Sequence, residues 1–368
     1  MNSKEDLLTI GKKYKKTIFK WLYNSSNCLN KTLKQYKTHE LNSIKLLTIE
    51  KPLELCFILK TGFFEFENII NNPIYNNYKI AKKNGGQRDI SAPSNNIKII
   101  QKRLNYYLQA YYLCVKPAEV HGFIINPNYL GQKCNIVENA KPHSNKNHIL
   151  NIDLKDFFPS ITAKQVYEIL VSKYFNFNLQ IAKAITLLTT YNGKLPIGAP
   201  TSPVLSNYVC LTLDNLLTEY CKNNNLTYTR YADDLTFSSD FKITIENIND
   251  IKNIIKSNKF EINNKKLRLK SANCCQTVTG LTVNNKVNIK RALLKKIRAM
   301  LHDLSTNGIE IATKKHFKIK NGINQHHKTK FVNRLRGYIN FIGQVRGKED
   351  ILYLKQKGIF DNLKLKLN

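Results

Sequence analysis

Apolar residues recur at helical spacing from the start of the chain. Leu7, Ile10, Tyr14, Ile18 and Trp21 follow Ser3-Lys-Glu-Asp6, which is patterned like a capping box. Helical signals continue to about residue 70, with Pro52 opening a helix from Leu53 to Ile58. The period then changes. Tyr78–Lys82 and Arg88–Ser91 flank Gly85-Gly86, which predicts a basic hairpin ended by Pro93. Ile97 to Tyr112 reads as a basic amphipathic helix, and Ile149 to Asp153 as a buried strand running into a turn. Helices are expected at about 163–175 and 178–190. A Gly/Pro-rich loop, Gly193 to Pro203, opens another from about Ser202 to Lys222. Two short strands, Leu226–Arg230 and Leu235–Ser238, enclose Tyr231-Ala-Asp-Asp234. A helix from Ile245 to Ser257 and short strands to about Val287 follow, after which the pattern is helical.

The 368 residues suffice for two or three packed units. Charge adds a partner to this picture. The chain carries 58 Lys and Arg against 26 Asp and Glu, a net charge of +32, which a polyanion such as nucleic acid would neutralise. The excess concentrates at the end: Leu281 to Asn368 holds 20 basic against 5 acidic residues. There Arg291, Lys295, Lys296 and Arg298 share the polar side of one helix, opposite Leu294, Ile297 and Leu301, as a phosphate-contacting surface would. The eight cysteines show no C-x-x-C spacing, so they read as ordinary thiols of a reduced compartment. Lys4, Glu5 and Asp6 interrupt any signal-peptide run, and no apolar stretch approaches the ~18 residues that span a bilayer. A cytoplasmic protein without a membrane partner is expected.

The chemistry centres on Asp233-Asp234. Adjacent carboxylates at a hairpin tip repel, and a tight turn would sooner use Asn-Gly or Asp-Gly. A divalent cation reconciles them, because Mg²⁺ demands hard oxygen ligands. Nucleotidyl transfer uses two such cations about 3.5–4 Å apart, held by carboxylates from segments that meet in space. Asp153, ending a buried strand, is the candidate third carboxylate.

Asp153-Leu-Lys-Asp-Phe-Phe-Pro-Ser-Ile161 resembles the first catalytic motif of reverse transcriptases. Leu195-Pro-Ile-Gly-Ala-Pro-Thr-Ser-Pro-Val-Leu-Ser-Asn207 resembles the second, and Tyr231-Ala-Asp-Asp234 the third. The segment from Lys82 through Arg88 to Pro93 and Gln101 is similar to the fingers motif that grips the incoming triphosphate. The resemblance implies an α+β right-hand polymerase with fingers, a palm built on an antiparallel sheet, and a helical thumb. Residues 1–75 would form an N-terminal helical region, 76–150 the fingers, 151–285 the palm with finger helices inserted at about 163–192, and 286–368 the basic thumb. Asp153 and Asp233 would hold two Mg²⁺ ions, for which Mn²⁺ could substitute, with Asp234 the weaker ligand. Arg88, with Lys82 or Lys83, would take the phosphates of a dNTP. Phe158 would stand against the sugar 2′ carbon, Gly198 would allow close backbone approach, and Lys266 would sit near the leaving pyrophosphate. The sequence departs from the family at Ile197, where many members have Gln.

Two further segments narrow the resemblance. Asn139-Ala-Lys-Pro-His143 matches the N-A-x-x-H element of bacterial retron reverse transcriptases, and Val278-Thr279-Gly280 their V-T-G triplet. Val120-His-Gly-Phe123 differs from the more usual Ala-His-Gly-Phe in one conservative change. Retron resemblance implies a cognate noncoding RNA that is both primer and template, and a branched RNA–DNA product (msDNA) joined 2′,5′. It also implies antiphage defence with a separately encoded effector protein. Asn139, His143, Val278, Thr279, Gly280, Arg291, Lys295 and Arg298 would contact that RNA. The alternatives are another bacterial reverse transcriptase, of intron-derived or abortive-infection type, and an RNA–DNA scaffold that restrains a toxin.

Overall fold

A computed structural model describes residues 35–82, 85–125, 130–131, 133–319 and 322–365, with 7, 9–10, 12–13 and 15 near the N-terminus. Lys83, the Ser3–Asp6 capping box, and Tyr14, Ile18 and Trp21 of the first predicted helix lie outside the described residues. Helices α1 (Thr38–Leu47), α2 (Pro52–Leu59) and α3 (Phe63–Asn71) precede a hairpin of β1 (Tyr75–Ala81) and β2 (Gln87–Pro93). Pro52 occupies the first turn of α2, where its missing N–H forfeits no bond. The hairpin is antiparallel, with Ile80 opposite Arg88, and Gly85 and Gly86 both take the positive φ that its loop needs.

The chain continues through α4 (Asn95–Val115), α5 (Ile136–Ala140), β3 (His148–Asp153), α6 (Phe157–Ser160), α7 (Ala163–Val171) and α8 (Leu179–Thr189). Then come α9 (Ser202–Val209), α10 (Leu211–Asn223), β4 (Thr227–Tyr231), β5 (Asp234–Ser239) and α11 (Ile245–Ser257). Two expectations about helix length are corrected. Helix α7 stops at Ser172, whose hydroxyl turns back to the Ile169 carbonyl at 2.7 Å. The predicted 202–222 helix is broken at Cys210, which caps α9 and opens α10.

After β6 (Arg268–Ser271), β7 (Thr277–Val278) and β8 (Leu281–Thr282), three helices finish the chain: α12 (Arg291–Phe317), α13 (Gln325–Arg346) and α14 (Ile351–Leu365). The chain is therefore α+β, as expected. A four-stranded sheet has the order β4-β5-β3-β6, with β3 antiparallel to β6 and Leu150 opposite Leu269. Along the outer side of β4, Val120 bridges Arg230. His121 N–H donates to the Arg230 carbonyl and Arg230 N–H to the Glu119 carbonyl, both at 3.0 Å.

Contacts divide the chain into two compact units. The first comprises Met1–Cys134, Ile152–Leu235 and Thr244–Leu267. It holds α4 and a buried aromatic group in which Tyr208 meets Tyr111, Tyr112 and Phe175. The second comprises Asn135–Asn151, Thr236–Ile243 and Arg268–Asn368. Its core joins Val278 and Leu281 to Ile297 and Leu301 of α12, Phe331 and Leu335 of α13, and Phe360 of α14. Gly308 breaks α12 internally with φ 72° and ψ 174°. Across that break Asp303 accepts from Lys315 at 2.9 Å and lies 2.8 Å from His316 Nε2. No helix among the described residues is long and apolar enough to cross a membrane.

Candidate active site

Buried Ile149, Leu150 and Ile152 fix β3, so the strand delivers Asp153 at its end. The β4–β5 connection reverses through Ala232, whose φ of +61° is left-handed, and this brings Asp233 and Asp234 to the same place. Main-chain bonds tie the two features together. Leu154 N–H donates to the Asp233 carbonyl at 3.0 Å, and the Asp153 carbonyl accepts from Asn263 N–H at 2.8 Å. The Asp153 carboxylate is mostly buried. Its Oδ1 accepts from Lys266 Nζ at 2.8 Å and its Oδ2 from Asn263 Nδ2 at 3.3 Å.

The three carboxylates feel one another. Burial raises the Asp233 carboxyl above the usual range and the charge of Asp153 adds to the rise, while Lys266 and Arg88 oppose it. Asp234, exposed at the start of β5, has its carboxyl pushed up to about 6 by partial desolvation and then by Asp233 and Asp153. Its hydrogen bond to Asp153 holds the Lys266 ammonium above its ordinary value. Among the described residues no three His, Cys, Asp or Glu side chains are arranged to grip an ion as they stand, and Lys266 occupies Asp153 instead. The donor set nevertheless suits a hard cation: three crowded carboxylates whose repulsion a bound positive charge relieves.

The expected nucleotide-binding residues lie in the same unit. Arg88 is exposed on β2, and its charge is felt at Asp233. Lys82 is exposed at the hairpin loop, its N–H bonded to the Gly86 carbonyl at 2.9 Å. Phe158 is half-buried, its ring 5.5 Å from Phe123 and 5.6 Å from Phe157; Phe157 is itself buried and lies 5.9 Å from Phe260. Gly198, at φ +119°, does allow a close approach, but to β2: an added Cβ would stand 3.1 Å from Ile90 and 3.3 Å from the Ser91 carbonyl. Ile197 joins the same contact, its carbonyl accepting from Ser91 N–H at 2.8 Å.

The expected RNA-contacting residues divide. Asn139 and His143 are fully buried, as is Val278, so none of the three offers a surface to RNA. His143 Nδ1 lies 2.7 Å from Ser238 Oγ, and Val278 belongs to the helical core. All three lie inside the second unit. Thr279, at φ +46°, and Gly280, at φ +85°, form the β7–β8 turn, with the Thr279 hydroxyl bonded to the Ile136 carbonyl. Arg291, Lys295 and Arg298 are exposed on α12 while Ile297 and Leu301 are buried beneath them. Two residues at the carboxylates have little signature in the sequence. Asn263 carries only its spacing from Lys266 as a signal, and Gly122 only its place in Val120–Phe123. An added Cβ on Gly122 would fall 2.4 Å from Ala232 N.

The chain is similar to several known proteins. The family model "Reverse transcriptase (RNA-dependent DNA polymerase)" matches residues 80–333. The retron Mx65 reverse transcriptase of Myxococcus xanthus is 33% identical over 62% of this chain and 55% of its own length. The retron Ec86 reverse transcriptase of Escherichia coli is 41% identical over 46% and 53%. The retron Ec73 reverse transcriptase of Escherichia coli is 35% identical over 62% and 75%. The chain thus spans about half the length of the first two relatives. A telomerase from Candida albicans, solved with a fragment of telomeric RNA, aligns over 81% of this chain and 64% of its own at 9% identity, with a TM-score of 0.45.

Proposed function

The chain belongs to the reverse transcriptase family, on its bacterial retron branch and with the α+β fold class of right-hand polymerases, and on that premise we propose that it is an RNA-directed DNA polymerase. One observation carries the reading. Asp153, Asp233 and Asp234 come from two strand ends tied by the Leu154–Asp233 hydrogen bond and are mutually repelling, with Lys266 and Arg88 as the opposing charges.

Two Mg²⁺ ions, or Mn²⁺ in their place, held by Asp153 and Asp233 with Asp234 as the weaker ligand, would supply Lewis acidity to the attacking hydroxyl and the triphosphate. The protein's own groups do the rest. Arg88 presents a planar fork to phosphate oxygens and Lys82 a point charge, both from the exposed hairpin. Phe158, backed by Phe123 and Phe157, closes the space beside the sugar 2′ carbon and so favours dNTPs. Lys266 holds Asp153 in the resting enzyme and, released from it, brings positive charge to the leaving pyrophosphate.

The primer and template are a cognate structured noncoding RNA, and the product is branched msDNA joined through a 2′-hydroxyl. Retron relatives, the Asn139–His143 and Val278–Gly280 segments and the net charge of +32 support this reading. Exposed Arg291, Lys295 and Arg298, with the Thr279-Gly280 turn, meet the RNA by its phosphates and shape. The complex works in antiphage defence with a separate effector protein. Sequencing the nucleic acid that co-purifies from the host tests the assignment. A branched molecule whose RNA is encoded beside the gene is the expected result, and intron RNA would overturn it. Asp233→Asn with Asp234→Asn should abolish DNA synthesis; if biological activity survived intact, the RNA–DNA complex would act as a scaffold instead.

A further inference from the structure

Beneath the catalytic turn lies a fully buried ion pair that the proposed chemistry does not use. Arg230, the penultimate residue of β4, has no exposed surface, nor has Asp214 of α10. The guanidinium grips Asp214 bidentately along one edge: Nε donates to Oδ1 at 2.7 Å and Nη2 to Oδ2 at 2.6 Å. The Tyr228 hydroxyl adds a third bond to Asp214 Oδ1 at 2.8 Å. This leaves Nη1 aimed upward, where it donates to the Ala232 carbonyl at 3.1 Å and to Asn207 Oδ1 at 3.0 Å.

A buried pair of this kind is a poor way to stabilise a fold. Its desolvation offsets most of its attraction, and apolar residues of the same volume serve as well or better. Its position is more telling. Ala232 is the left-handed residue that reverses the chain between Tyr231 and the carboxylates, and a residue with a Cβ resists that conformation. Its carbonyl is held from below by Arg230. Gly122 also comes so near that a Cβ there would stand 2.4 Å from Ala232 N. Asn207 links the two supports, accepting from Arg230 and donating to the Gly122 carbonyl at 2.9 Å. The turn is clamped at the one residue whose backbone decides where Asp233 points.

We infer that Arg230, set by its fork to Asp214, is a positioning residue that fixes the Ala232 turn and thereby the cation affinity of the Asp233 carboxylate. The inference rests on the catalytic reading of Asp153, Asp233 and Asp234. It makes Arg230 act through backbone geometry rather than through contact with substrate.

The test is the Mg²⁺ dependence of primer extension and, independently of synthesis, of the melting temperature, both measured on the full chain with its co-purified nucleic acid, for the wild type, Arg230→Lys, Arg230→Lys with Ala232→Gly, and Asp233→Asn. Arg230→Lys keeps the charge but loses the fork and the upward bond. Its half-saturating Mg²⁺ concentration should rise about 10- to 100-fold, the usual effect of removing a group that orients a ligand, while thermal melting stays cooperative. Glycine adopts positive φ readily, so Ala232→Gly should recover most of that loss, which support of the fold alone would not predict. Wild-type Mg²⁺ dependence in a folded Arg230→Lys protein, or no recovery with Ala232→Gly, overturns the inference. If Arg230→Lys does not fold, Arg230→Met with Asp214→Leu takes its place, with the same expected rise and the same overturning result. DNA synthesis by Asp233→Asn would instead defeat the catalytic reading itself.

Discussion

Lys266 Nζ donates a 2.8 Å hydrogen bond to Asp153 Oδ1, so the carboxylate at the end of β3 already holds one positive charge. Replacing Lys266 with Met leaves the three carboxylates to repel one another. The lysine is 57% exposed, so the stability lost should be small, about 0–1 kcal/mol. Added Mg²⁺ should then raise the melting temperature more than it does for the wild type, since no ammonium competes for Asp153. Primer extension should fall about 100-fold with the lost charge at the leaving group. A thermal response to Mg²⁺ equal to the wild type's would count against the competition.

The raised Asp234 carboxyl predicts a pH signature in the absence of metal. Because its folded value lies above its ordinary one, ionisation is disfavoured in the native state and costs stability. That cost is absent below the ordinary value of 3.8, grows as pH rises, and is complete above about 6. In EDTA, Asp234→Asn should melt higher than the wild type at around pH 8, and the advantage should vanish near pH 4. A difference that did not change with pH would exclude this account.

Phe158 is positioned by two rings, which makes it a rigid wall. Phe158→Ala should raise ribonucleotide incorporation relative to dNTPs by roughly 10-fold or more. Competition assays with paired rNTPs and dNTPs measure the ratio directly, and unchanged sugar selectivity would remove Phe158 from that role.

Neutralising Arg291, Lys295 and Arg298 together removes charge from the exposed face of α12 and leaves Ile297 and Leu301 in the core. RNA affinity should weaken, and the slope of log K against log salt should shrink by about 0.7–0.9 for each phosphate no longer neutralised. An unaltered slope would place this face away from RNA.

How much of the molecule is legible in its sequence follows the range of the interactions. The hairpin at Gly85-Gly86, the strand ending at Asp153 and the reversal at Tyr231–Asp234 are local: turn residues and short apolar runs specify them within a few positions. The burial of His143 is not legible, because its neighbour Ser238 lies 95 residues away and the same motif would suit an exposed loop. Arg230 is hidden for the same reason. In Thr-Tyr-Thr-Arg-Tyr nothing tells that the arginine faces inward, since its acid, Asp214, sits 16 residues earlier on a helix. In so basic a chain a single inward-facing cation is lost among the many that face solvent. The break at Cys210 likewise has no glycine or proline to announce it.

The segment from Glu119 to His121 has a consequence for how the protein lives among copies of itself. β4 ends the sheet on one side, and an uncovered edge strand invites another chain to add its own. Here the N–H and C=O of Arg230 are already taken by Glu119 and His121. On the opposite edge β6 is only four residues long and carries Arg268 and Lys270, so like charges meet any incoming strand. The β4 edge is thus already paired at Arg230, and the β6 edge carries charge that disfavours an added strand. Trimming the 119–121 cover should free the β4 edge at Arg230 and promote self-association, which light scattering would detect.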